Sequence, residues 1–186
     1  MGSSLSSIVS GCKKRRPADQ KRLYDLFAPK MMAVCYRYGR TAEEAHDMMQ
    51  EGFIKVFENI GKFQDRGSLE GWVRRIMVNT AIDLIRKNRH YHQQLEVQEG
   101  LAPDPSADAL DDLQAEELME VIQSLPDGYR MVFNLYAIEG YSHAEIGKKL
   151  DISESTSRSQ YTRARSLLKK LVLDLYQERF SYSDVV

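Results

Sequence analysis

Residues 98–112, Gln-Glu-Gly-Leu-Ala-Pro-Asp-Pro-Ser-Ala-Asp-Ala-Leu-Asp-Asp, limit the fold of this chain more than any other stretch. They combine a glycine, two prolines and many acids, with no apolar run to bury, so they interrupt any helix that reaches them. On either side, apolar residues recur at helical spacing, and no stretch alternates as a half-buried strand does. The chain therefore reads as all-α: two small helical domains joined by an acidic flexible linker, the second domain a helix-turn-helix. The expected boundaries are 1–95, 96–112 for the linker, and 113–186. A length of 186 residues accommodates two such domains.

Local signals place the helices. Pro17 opens a first helix to about Ala28, and Pro29 breaks it and opens a second to about Tyr38, since proline is tolerated at a first helical position. Thr41-Ala-Glu-Glu44 is a capping box, and the helix it starts carries Met49, Phe53, Val56, Phe57 and Ile60 as one apolar stripe. Residues 61–67 read as a loop, and Ser68 caps a long helix to about Tyr91. Past the linker, one helix runs from about Leu113 to Ser124 and another from Pro126 to near Gly140. Ser142-His-Ala-Glu145 is a second capping box, opening a short helix to about Leu150, and Ser153 caps a last helix to about Tyr176. The Ser-rich first ten residues read as a polar tail. They match the loose Met-Gly-x-x-x-Ser myristoylation pattern, which a polar tail explains equally well.

The net charge of −1 conceals a strong asymmetry. Residues 1–92 hold 17 Lys and Arg against 10 Asp and Glu; residues 93–127 hold 10 acids and no base; residues 128–186 hold 9 bases against 7 acids. Basic modules suit phosphate backbones, whereas the acidic stretch is either solvated or faces something positive. The longest apolar run, Met31 to Tyr36, is far short of the roughly 18 residues of a membrane helix. No membrane insertion or export is expected. Cys12 and Cys35 are too few to staple a chain of this size, so a reducing, cytoplasmic setting fits best. The four histidines form no H-x-x-x-H pair and none lies near a cysteine, so neither a metal nor any other cofactor is expected.

Two segments carry candidate chemistry. In the helix-turn-helix pattern of residues 141–170, Ile146, Leu150 and Ile152 supply the inner face. The second helix presents Ser155, Thr156, Arg158, Ser159, Thr162 and Arg163. Arginine forks onto guanine, and hydroxyls reach base edges or phosphates. A plain helical hairpin with a solvated face accounts for the same residues. The helix of residues 69–91 carries Arg74, Arg75, Arg86, Lys87 and Arg89 around Asn79. The bases suit a phosphate chain and the amide a base edge, with Phe63 and Trp72 near enough in sequence to stack. Phe63 and Trp72 serve equally as core, and Asp83 as an i, i+4 partner of Lys87.

Taken in order, these residues resemble a family. Gly11-Cys-Lys-Lys14, Asp47-x-x-Gln50-Glu51-x-Phe53, Arg75-Ile-x-x-Asn79-Thr-Ala-x-Asp83-x-x-Arg86-Lys87, Leu125-Pro126 and a helix-turn-helix ending Arg163-Ala-Arg165 are similar to the extracytoplasmic-function (ECF) sigma factors, small two-domain bacterial promoter-recognition subunits. The resemblance covers about residues 8–175. It implies that the first domain is sigma region 2, with Asp47, Gln50, Glu51 and Phe53 gripping the β′ clamp helices of core RNA polymerase. The 61–67 loop, with Phe63, would receive a flipped base of the minus-ten element, and Arg75, Asn79, Arg86 and Lys87 would engage the melted strand. The second domain would be sigma region 4, which places Ser155, Thr156, Arg158, Ser159, Thr162 and Arg163 in the major groove of the minus-thirty-five element. The implied partners are core RNA polymerase (β′ clamp helices and β subunit), promoter DNA and an anti-sigma factor. Three positions depart from the family pattern: Gly52 sits mid-helix, Gln160 replaces a frequent base, and Thr162 stands where larger side chains are common.

Rival readings leave residues unexplained. A sigma mimic that only sequesters an anti-sigma factor has no need of Arg158, Arg163 and the bases of the long helix. A helix-turn-helix repressor working without polymerase leaves the Asp47–Phe57 surface and the acidic linker without a role. An enzyme lacks any nucleophile–base pair or metal-ligand spacing here.

Overall fold

A computed structural model describes residues 2–64, 67–92 and 115–183, and every regular element among them is helical. The expected acidic linker, 96–112, lies outside the described residues. The chain divides into two compact units, Met1–Tyr91 and His92–Val186.

The first unit contains α1 (Gly2–Lys13), α2 (Pro17–Tyr36), α3 (Ala42–Asn59), a 3₁₀ turn (Ile60–Lys62) and α4 (Leu69–His92). The N-terminal segment expected as a polar tail is helical instead. Ile8, Val9 and Cys12 are buried, and α1 packs on α2. Three apolar anchors among many serines make a stripe too sparse to read from spacing.

The break expected at Pro29 is also absent, since α2 runs through it. Proline in a helix interior forfeits a bond to the carbonyl four residues back, here that of Asp25, and costs about 3 kcal/mol. Pro29 and Asp25 both lie on the exposed face, where water can satisfy that carbonyl. Leu23, Phe27, Met31, Val34 and Cys35 form one buried stripe across the proline. Each fully buried side chain of this kind contributes about 1.5–3 kcal/mol, so the stripe outweighs the break.

At the start of α3, Thr41 Oγ1 accepts the Glu44 N–H at 3.2 Å, the first half of the capping box. The return arm differs from expectation, because the Glu44 carboxylate accepts the N–H of Arg40 at 2.8 Å. Gly52 is explained by a close crossing: a Cβ there would stand 2.2 Å from Met77 Sδ of α4. Ser68 Oγ caps α4 by accepting the Gly71 N–H at 3.0 Å.

The second unit contains α5 (Ala115–Gln123), α6 (Asp127–Phe133) continuing into a π-helical turn (Asn134–Ile138), α7 (His143–Leu150) and α8 (Glu154–Ser183). Val121, Ile122 and Leu125 pack on Ala164, Leu168 and Val172, which joins the α5 segment to α8. Buried Arg130 donates to the carbonyl of Gln123 at 2.8 Å and pairs with Asp127 at 2.8 Å, so it closes the end of α5. The helix from Pro126 does not stay regular to Gly140. The Glu139 N–H reaches back five residues to the Asn134 carbonyl at 2.9 Å, the signature of a π turn.

Both arms of the Ser142 capping box form: its Oγ accepts the Glu145 N–H, and the Glu145 carboxylate accepts the Ser142 N–H at 2.8 Å. Asp151 turns the chain in the left-handed region at φ 56°. Gly147 makes the tight return possible, since a Cβ there would stand 2.8 Å from the carbonyl oxygen of Ile152, a backbone atom that cannot swing aside. Ser153 Oγ then accepts the Thr156 N–H at 2.9 Å and starts α8.

Candidate nucleic-acid interface

Along α8 the positions are 100° apart about the axis, so Ser155, Thr156, Arg158, Ser159, Thr162 and Arg163 share an arc of about 160°. All six are exposed or half-buried. On the opposite side, Ser157 and Ala164 are fully buried. The short capped α7 braces that buried side: His143 Nδ1 and Ser157 Oγ lie 2.9 Å apart. The His143 ring stacks on Tyr136 at 4.2 Å, and Tyr161 lies 4.5 Å from Tyr136. Burial holds the His143 imidazolium below its ordinary range, with the Arg158 charge adding to the effect and Glu154 opposing it. The brace therefore favours a neutral ring.

The six side chains of this arc are not equivalent. Arg158 forms a same-helix ion pair with Glu154. Ser159 Oγ donates to the Thr156 carbonyl at 3.0 Å, and Thr162 Oγ1 donates to the Arg158 carbonyl at 3.1 Å. Among the described residues Arg163 makes no hydrogen bond or ion pair, so its five N–H donors face solvent.

In the first unit, α4 presents a second surface. Arg75, Asn79 and Arg86 fall within about 40° of one another around the helix, with Lys87 about 80° further round. Arg75, Arg86 and Lys87 are exposed and Asn79 is half-buried. Asp83, on the same side, pairs with Lys55 of α3 at 3.4 Å rather than with Lys87. Phe63 does not stand at this surface as an open stacking platform. It is 5% exposed, with its ring against Trp72 at 5.5 Å.

On α3, Asp47 and Gln50 are exposed and Glu51 is half-buried. Gln50 Nε2 lies 2.8 Å from His46 Nδ1. Phe53 is only 3% exposed and packs on Tyr24 at 4.6 Å, so it belongs to the core under this face and cannot itself be presented to a partner. The apolar side chain that does stand on the face is Ile54, 53% exposed. The sequence reading missed it, although its position three residues after Glu51 and four after Gln50 puts it on the same stripe.

Comparison with known proteins identifies both units. The family model of Sigma-70 region 2 matches residues 23–91, and that of Sigma-70 region 4 matches residues 115–168. The ECF RNA polymerase sigma factor SigW of Bacillus subtilis (strain 168) is 31% identical over 167 residues, covering 82% of this chain and 88% of SigW. The RNA polymerase sigma-H factor of Pseudomonas aeruginosa is 28% identical over 174 residues, covering 85% of this chain and 90% of its own length. Among solved structures, the fold is similar to that of the sigma factor RpoE of Bartonella quintana, crystallised with the anti-sigma factor NepR. The TM-score is 0.51 at 21% identity, covering 84% of this chain and 97% of RpoE. With both sigma modules in order and SigW matched over most of its length, the chain belongs to the ECF sigma factors, promoter-specific transcription initiation factors that are not enzymes.

Proposed function

We propose that the three exposed faces divide the work of initiation. The α3 face of Asp47, Gln50 and Glu51, extended by Ile54, docks on the β′ clamp helices of core RNA polymerase in the bacterial cytoplasm. The α4 face of Arg75, Asn79, Arg86 and Lys87 engages the melted minus-ten strand, and the loop before α4 takes a flipped base. The α8 arc from Ser155 to Arg163 enters the major groove of the minus-thirty-five element, and the second unit also meets the β subunit. In this reading residues 1–95 are region 2, 113–186 are region 4, and 96–112 thread the polymerase as a polyanion. An anti-sigma factor holds the chain in reserve, as RpoE was captured with NepR.

The observation that carries this reading is the pair of exposed cationic helix faces, each in its own compact unit and each with a polar reader among its bases. Melting a promoter needs no catalytic side chain. It needs a surface that binds the extruded base and its strand better than the duplex does. The test is run-off transcription by core polymerase on genomic fragments, with and without the chain. Discrete transcripts that depend on the chain are expected. Binding to duplex DNA with no dependent transcript would favour a repressor instead.

A further inference from the structure

The turn between α1 and α2 carries four consecutive cations, Lys13, Lys14, Arg15 and Arg16, all of them exposed. It closes α1 as a Schellman motif: the Arg15 N–H donates to the Cys12 carbonyl at 2.9 Å and the Arg16 N–H to the Gly11 carbonyl at 3.0 Å. That closure sets Arg15 at φ 56°. Helices usually give this position to glycine, because a Cβ is strained in the left-handed region. Asp151, the other non-glycine residue at positive φ among those described, is a short polar side chain of the kind that tolerates it. Arginine has no such excuse. A strained residue kept where glycine would fit freely points to use of its side chain.

The charges are also available. Among the described residues, Lys14, Arg15 and Arg16 have no carboxylate in ion-pair range. Lys13 supplies the location: its Nζ donates to the Phe63 carbonyl at 2.9 Å, which ties the turn to the loop that precedes α4. Phe63 in turn packs on Trp72, one helical turn before Arg75. The basic turn thus adjoins the loop that leads into α4.

We propose that Lys14, Arg15 and Arg16 bind the phosphates of the melted non-template strand beside the nucleotide whose base enters the loop. The proposal rests on the reading of that loop and of α4 given above. Flipping a base unstacks it, and phosphate contacts next to the flipped nucleotide offset that loss without reading sequence. The turn would then set affinity and Asn79 selectivity.

The test uses the full chain on core polymerase. The probe is the fluorescein-labelled single non-template strand of a promoter that the chain transcribes. Arg15→Gly removes the side chain and also the backbone strain, so it should fold at least as stably as the parent, which separates a binding defect from an unfolded protein. At 0.1 M salt each lost phosphate contact should weaken strand binding about fivefold and flatten the slope of log K against log salt by about 0.7. Lys14→Ala and Arg16→Ala should behave alike, whereas Asn79→Ala should weaken binding with the slope unchanged. If the three turn variants keep parental affinity and slope while Asn79→Ala weakens binding, the inference fails and the functional reading stands. A loss confined to the duplex form of the probe overturns the inference too, since the contact is then with unmelted DNA. If no promoter is transcribed, both fall.

Discussion

Arg158 and Arg163 have the same chemistry on the same helix, yet they would enter DNA binding from different starting points. Arg158 is held by Glu154, and turning it onto a base requires giving up that partner. Arg163 has nothing to give up among the described residues. A guanidinium forked onto guanine discriminates by about 1–3 kcal/mol. Arg163→Ala should therefore cost about that much and relax the preference at one promoter position. Arg158→Ala should weaken all sequences evenly, with a shallower salt dependence. A titration over single-base variants of the upstream element at two salt concentrations decides it. Even weakening by both variants would assign sequence reading to Ser159, Thr162 or DNA shape. His143 yields a second prediction at this scale. Its ring bridges α7 and α8 in the folded state, and burial there, helped by the Arg158 charge, holds its imidazolium below the ordinary 6.5. The unfolded chain then binds the extra proton first. Stability from this group is fully present above pH 6.5 and is lost as pH falls from 6.5 into the lowered range. Thermal melts between pH 8 and 5 should show the second unit losing stability over that interval, and His143→Gln should flatten the trend. A pH-independent His143 parent would mean that the ring is not coupled to folding.

At the scale of elements, caps were legible because they are local. Thr41, Ser68, Ser142 and Ser153 each accept the N–H expected from their position in the sequence. What could not be read depends on partners far along the chain. Whether α2 survives Pro29 is decided by the stripe it buries, and whether α1 forms at all depends on α2 beneath it. The stripe of α3 did place Phe53 inward, against Tyr24 of α2; only the resemblance set it among the polymerase-facing residues. Gly52, a glycine in mid-helix, is matched to the close crossing of α3 with Met77 of α4. Alanine there gains up to about 1 kcal/mol of helix propensity, but it presses on fully buried Met77, and overpacking costs about 1–3 kcal/mol. Gly52→Ala should lower the melting temperature of the first unit, and a higher one would show that Met77 has room to move. The outer face of the same helix is tested by Asp47→Arg combined with Glu51→Arg. Both side chains point away from the core, so the fold should persist by circular dichroism while co-purification with core polymerase is lost. Retained polymerase binding would move the docking surface elsewhere.

Between α4, which ends at His92, and α5, which starts at Ala115, runs a sequence chemically unlike either unit. Residues 93–114 contain six acids and no base, whereas 1–92 carry an excess of seven positive charges. A tether needs length and flexibility but no such charge, because polar neutral residues serve that purpose equally. A segment that occupies a basic channel shaped for nucleic acid does need it, and its attraction acts over about one Debye length, near 8 Å at physiological salt. The two roles separate under neutralisation. Replacing Glu96, Glu99, Asp104, Asp108, Asp111 and Asp112 with Gln or Asn keeps length and polarity while removing six charges. If charge is what the segment contributes, run-off transcription should fall while both units keep their melting temperatures and the second unit keeps its affinity for duplex DNA. The deficit should be largest at low salt, where the parent gains most from the attraction, and should narrow as salt rises. Full activity of the neutral variant at every salt concentration would reduce residues 96–112 to a spacer and leave promoter opening to the helix faces alone.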